Sequence, residues 1–284
     1  MHRLIRGLYE QVRDCMSAFE IIRTLEEWMA ALPDEERDRF VRLKEAEGDR
    51  WSAVEPSDRW LLYALSRVSD LLITRLQCGY GRANMDIARG YDANGFINSY
   101  LHFFKQLGFE QRTVDAFHPF FCEVVEVVED IDPNVVLLDQ RWPCIMLGRM
   151  MFVRAGVVVS SGDGQLLVGV VDSATLFWTH MRKDRKTTDL SVGWGQNSQW
   201  STSFRRDFEC AGFFAYNVDE MGRGVALRAD GQHVVEDARE YDIMPGNMPP
   251  SHRIDLLRYR CAATFTLTED DIWPYHDHFI EHKT

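Results

Sequence analysis

Among the side chains able to do chemistry, the histidines are the most concentrated. The segment YHDHFIEH places His276, His278 and His282 within seven residues, with Asp277 and Glu281 between them. On a helix, His278 and His282 would stand four apart on one face, a spacing at which two imidazoles can share a metal ion. The H-E-x-x-H order of a zinc protease is absent, and a competent site needs three or four converging ligands. Three histidines in one short polar segment therefore read as a solvated tail, and no metal and no cofactor are expected. His180 and His233 complete the set of histidines that a hydrolase-like enzyme could use as a base.

Phosphate-binding and nucleophile motifs give less. GDGQLLVG carries Gly162, Gly164 and Gly169, but the spacing is not G-x-G-x-x-G, and it joins two strand-like runs where a dinucleotide site needs strand followed by helix. No G-x-x-x-x-G-K-[ST] and no G-x-S-x-G occurs. Cys15, Cys78, Cys122, Cys144, Cys210 and Cys261 are scattered without a C-x-x-C pair, as expected for structural thiols in a reducing compartment. Cys144 and Cys210 have polar neighbours, yet neither has an identifiable histidine partner.

The densest stretch is VGWGQNSQWSTSFRRDF, Val192 to Phe208. A glycine-rich turn at Gly193, Gly195 and Asn197 leads into a strand from about Gln199. On that strand Trp200, Thr202, Phe204, Arg206 and Phe208 share one face, and Ser201, Ser203, Arg205 and Asp207 share the other. Period-2 alternation predicts a half-buried strand. Trp194 and Trp200 with Arg205 and Arg206 also form the combination favoured at recognition surfaces.

A second candidate surface is acidic. Glu123, Glu126, Glu129 and Asp130 fall at spacings of three and four on a segment predicted as helix, which makes either a solvated face or an electronegative patch for a basic partner. RKDRK, Arg182 to Lys186, reads as a solvated hairpin tip, and MPGNMPPSHR, Met244 to Arg253, as an irregular connector.

The elements that must carry these residues fall into two textures. Up to about residue 132 the periodicity is helical. Leu4, Leu8, Val12, Met16, Phe19, Ile22, Leu25 and Met29 form one long apolar stripe. Pro33 with Asp34, Glu35 and Glu36 starts a second helix that Gly48 ends. Ser57 or Asp58 caps a third that stops before Gly79. Segments 92–109 and 112–130 complete roughly five helices, with Pro119 starting or kinking the last.

Beyond that point, runs rich in Val, Phe, Thr and Trp alternate with Gly and Asp. Segment 154–172 predicts a hairpin around Gly162-Asp163-Gly164, residues 173–181 a strand, residues 225–235 a hairpin at Asp230-Gly231, and residues 254–267 a late strand. The expected architecture is α+β: an α-helical bundle over residues 1–132, a linker at 133–148, and an antiparallel β-rich sandwich or partly open barrel over 149–284.

Composition narrows the function. The net charge is −12, of which residues 1–142 carry −8 and residues 143–284 carry −4. Such an acidic chain lacks the lysine and arginine excess that nucleic acid requires. No apolar run is long enough to span a bilayer, and MHRLIRGLYEQVRD is too charged for a signal peptide. A cytoplasmic location without membrane attachment is expected. Only five of the 32 basic residues are lysine, a bias of GC-rich bacterial genomes. The leading expectation is a protein that binds and neutralises or regulates a basic partner protein, for example an immunity protein that neutralises a bacterial toxin. Its contact residues would be Glu123, Glu126, Glu129, Asp130, Trp194, Trp200, Arg205 and Arg206. An enzyme of unrecognised family with a histidine base, or a small-ligand sensor, is the alternative.

Overall fold

The computed structural model describes residues 2–45, 54–80, 93–162, 164–192, 200–202, 204–218, 226–227, 248–267 and 272–283. Helices α1 (His2–Asp14) and α2 (Ala18–Ala31) divide the long apolar stripe in two. Ser17 breaks it: its hydroxyl accepts from Glu20 N at 3.2 Å, and the Glu20 carboxylate returns the contact to Met16 N at 2.7 Å. This reciprocal cap satisfies donors at the helix start. The break turns Met16 and Phe19 out to solvent, while Ile5, Leu8, Tyr9 and Val12 on α1 and Ile21, Leu25 and Met29 on α2 face inward.

Helix α3 (Asp34–Glu45) begins after Pro33 with three acidic residues, as its charge pattern predicts. Helix α4 (Pro56–Tyr80) is the central one. Leu61, Leu62, Leu65, Val68, Leu72, Ile73 and Leu76 are all buried, because α1, α5 (Ala93–Gln106) and the strands pack around it.

The fifth expected helix, 112–130, is instead strand β2 (Cys122–Glu129). Val124, Val125, Val127 and Val128 are β-branched and favour a pleated surface. The helical spacing of its glutamates coincides with a register shift between Val124 and Glu126, where one extra residue mimics a longer period.

Strand β6 (Ala155–Ser161) lies between β2, which it pairs in parallel, and β3 (Val136–Trp142), which it pairs antiparallel. The second arm of the hairpin expected at 154–172 is a series of turns, so the partners of β6 come from earlier in the chain. Residues 133–148, expected as a linker, contain β3 and β4 (Cys144–Leu147).

A seven-stranded sheet has the order β1 (Glu110–Arg112), β4, β5 (Met150–Val153), β9 (Asp207–Glu209), β10 (Phe213–Tyr216), β12 (His278–His282), β11 (Ala226–Leu227). Its pairings are antiparallel except β11 with β12. Among the described residues it stays open, so the architecture is α+β with antiparallel-rich sheets and not a closed barrel. Strands β7 (Leu176–Phe177) and β8 (Thr187–Thr188) form a short separate ladder.

The strand expected at 254–267 is corrected to helix α6 (Pro250–Tyr259), which Pro250 opens in the first helical turn. The hairpin turn at Asp230-Gly231 lies outside the described residues. The first five helices and the large sheet share an apolar core: Phe104 and Phe109 meet Phe152 of β5 at ring distances of 5.5 and 4.6 Å, and Phe152 meets Phe204 at 5.4 Å, while β2, β6 and α6 contribute to a second cluster.

Candidate functional site

Helix α4 projects Tyr63, Arg67 and Asp70, at spacings of four and three, from one face toward the segment that carries β7 and β8. Tyr63 Oη donates to Asp189 at 2.9 Å. Arg67 lies 3.4 Å from the Nε2 of His180, and Tyr9 Oη of α1 lies 3.1 Å from the same nitrogen. Asp70 accepts from His180 N at 2.8 Å and from Arg182 Nη1 at 2.6 Å. Trp200 closes this corner, with the Arg67 guanidinium 4.1 Å from its ring and Tyr9 edge-on at 5.2 Å. Burial and the charge of Arg67 hold His180 below the usual imidazole range, so it is neutral near pH 7. A neutral imidazole beside a tyrosine hydroxyl has base character, but among the described residues its ring contacts contain no serine or cysteine nucleophile.

From Asp70 the network runs inward. Arg182 spans Asp70 and Glu123, donating to both Glu123 oxygens at 2.8 and 2.7 Å. Its side chain is only 5% exposed and lies over the Trp142 ring. Burial alone would raise the Glu123 carboxyl; the charge and hydrogen bonds of Arg182 outweigh it and hold the group below the ordinary carboxylate range. Arg185 donates to the carbonyls of Ala174, Val124 and Val171. RKDRK is therefore not a solvated tip: two of its arginines anchor the segment, and Lys183, Asp184 and Lys186 remain outside.

A second centre surrounds Asp207 on β9, which is fully buried. Arg205 Nε donates to it at 2.6 Å, Arg154 Nη2 at 3.3 Å, Arg260 Nη2 at 3.2 Å and Asn217 N at 2.8 Å. Arg154 and Arg205 also bond the carbonyls of Arg258 and Leu257 at the C-terminal end of α6, where cations are favoured. The Asp207 carboxyl sits far below the usual range: burial opposes this, but three guanidiniums prevail. Burial and mutual repulsion push Arg205 down to about 9 and Arg260 down to about 10, with Asp207 opposing in part.

The contact residues proposed from the sequence separate into two groups. Glu123, Trp200, Arg205 and Arg206 are buried and cannot present a recognition surface, because α4, the Asp207 centre and the helical core occupy their faces. Glu126, Glu129 and Asp130 are exposed. Trp194 and His233 lie outside the described residues. His278 and His282 stand on strand β12 and not on a helix, so four residues separate them by about 13 Å, too far to share an ion. Among the described residues no group of three His, Cys, Asp or Glu side chains is placed to hold a metal. Burial pushes the Cys144 thiol up to about 12, so it is inert as a nucleophile.

Strand pairing explains how one sheet face carries both burial and exposure. Residues opposite one another share a face. Glu123, Gly156 and Trp142 form one row across β2, β6 and β3; Glu126, Val158 and Asp139 form the next; Val128, Ser160 and Val136 form the third. The first row lies under Arg182. In the third row Val128 and Val136 are exposed, and Leu138 (52%) and the loop residue Ile131 (100%) are exposed beside them. Asp132 and Asp139 add to the acids there, and Arg141 reaches Glu126 at 3.5 Å.

Sequence reasoning missed Tyr9, Tyr63, Arg67, Asp70, Arg154 and Arg260. A usable signal existed for some: Tyr63, Arg67 and Asp70 interrupt an otherwise apolar helix on one face, and Arg154 sits alone between MMFV and AGVVV. No family model matches the chain, and no curated protein and no solved structure matches it. No described helix is long and apolar enough to cross a membrane.

Proposed function

We propose that the chain binds a basic partner protein through the uncovered end of the β2–β6–β3 sheet, in a neutralising or regulatory role of the toxin-immunity type. One observation carries this reading. Val128, Ile131, Val136 and Leu138, four large apolar side chains within eleven residues, are exposed among Glu126, Glu129, Asp130, Asp132 and Asp139. Exposed apolar side chains rimmed by charged ones mark association surfaces, and the acids, which outnumber Arg141 paired with Glu126 and Asp139 and have a net charge of −12 behind them, favour and steer a basic surface.

The test uses the full chain and an Ile131→Asp/Leu138→Asp variant as baits against the native source, with eluates weighed by native mass spectrometry. Capture of one stoichiometric basic protein by the unaltered chain, weakened by salt and lost with the variant, supports the reading. Equal capture by both baits, or no basic protein with either, refutes it. The enzyme alternative draws on His180 with Tyr9 and Arg67 at its ring; turnover in a hydrolase panel that His180→Gln abolishes would favour it.

A further inference from the structure

The Asp207 centre holds more positive charge than its own residues neutralise. Three guanidiniums face one carboxylate, an excess of two charges. The carbonyls of α6 that accept from Arg154 and Arg205 offset only about half a charge. The further carboxylate acting on Arg260 is Glu123, already held through both oxygens by Arg182. Each of the three arginines also keeps one buried guanidinium nitrogen without an acceptor: Arg154 Nε, Arg205 Nη1 and Arg260 Nε. Buried donors left unpaired are costly, and three on three converging cations are more than a structural cap requires.

We propose that Arg154, Arg205 and Arg260 bind an oxyanion of the phosphate class. A phosphate carries up to two negative charges near neutral pH and presents oxygens in several directions, matching two excess charges and three donors on separate side chains. A carboxylate brings one charge and a planar pair of oxygens, and chloride brings no directional fork for guanidinium. Asp207 is a positioning residue that gathers the three arginines. The Trp178 ring, 4.1 Å from the Arg205 guanidinium, supports its plane. Arg260, at 10% exposed against 1% for each of the other two, is the most solvent-facing of the three.

Calorimetric titration of inorganic phosphate into the full chain at constant ionic strength tests the assignment, with chloride and acetate as comparison anions. One saturable phosphate per chain is expected, weakened at least about tenfold by Arg260→Gln, as for loss of one charge-assisted hydrogen bond. Absence of saturable phosphate binding, an equal response to chloride or acetate, or unchanged binding in Arg260→Gln overturns it. If Arg260→Gln does not fold, the titration of the unaltered chain decides alone. Phenyl phosphate distinguishes the sources: binding as tight as phosphate assigns the site to a phosphate ester, and its exclusion assigns the site to the free ion.

Discussion

Replacing Arg182 with methionine keeps an unbranched stem over Trp142 and removes the charge that joins Asp70 to Glu123. Three charge-assisted hydrogen bonds of 2.6 to 2.8 Å disappear, and Glu123 is left 6% exposed with no cation against it at that distance. Removing one partner of a buried ion pair costs about 3–5 kcal/mol, most of it the penalty of the stranded charge. At about 2–4 °C per kcal/mol for a chain of this order of size, Tm should fall by about 6–20 °C.

Two further readouts isolate the mechanism. Glu123→Gln added to Arg182→Met removes the stranded charge, so the double variant should recover more than half of the loss. The pH dependence has a definite sign. In the unaltered protein Glu123 titrates below its ordinary value, so its stabilisation is present above the unfolded pKa of about 4.3 and is lost as pH falls through the folded value. Without Arg182, burial dominates and raises the carboxyl. The variant's deficit is then largest near neutral pH and narrows as Glu123 takes up a proton. Thermal unfolding followed by circular dichroism at pH 7.5 and pH 5, for both singles and the double, measures all of this. A Tm loss below about 3 °C, or strictly additive losses in the double variant, would refute the claim that Arg182 neutralises a buried carboxylate.

A methyl group at Gly156 would overlap the Trp142 indole, whereas one at Gly212 meets nothing within 4 Å; Gly156→Ala should cost about 1–3 kcal/mol by overpacking and Gly212→Ala far less, as denaturant unfolding would measure. Burial pushes the Cys122 and Cys144 thiols up to about 11 and about 12, so neither should label with a thiol reagent until the chain unfolds, while partly buried Cys210 labels more readily than either in the native state, as mass mapping would report. Burial lowers His118, His180 and His278. A depressed folded pKa gives stability that is present above the unfolded value of about 6.5 and lost as pH falls below it. Tm should therefore decline from pH 7.5 to pH 5.5, less steeply in His180→Gln, and a flat or rising profile would contradict this.

The half-buried strand expected from Gln199 is confined to Asp207–Glu209, and Phe204 to Phe208 are all buried without alternation. The sequence by itself determined the α+β class, the start of α3 and the neighbourhood in which α4 begins, at Pro56, just ahead of the expected cap Ser57 or Asp58. Those are local properties: apolar periodicity and caps act over a few residues and survive in any packing. It also marked Glu126, Glu129 and Asp130 as exposed acids, although on a helix face, where a bulge in β2 counterfeits a helical spacing and the strand turns Glu126 and Glu129 to opposite faces. What only tertiary structure decided was the fate of the charges. Arg182 meets Asp70 across 112 positions, and Asp207 meets both Arg154 and Arg260 across 53. Arg205, outward-facing in no sense once α6 closes over it, donates to Leu257 across 52. Local pattern tells whether a side chain is charged and which face of its own element it takes. Whether that face meets water or a counter-charge depends on which distant segment packs there, and parallel pairing of β2 with β6 has no local code to announce it.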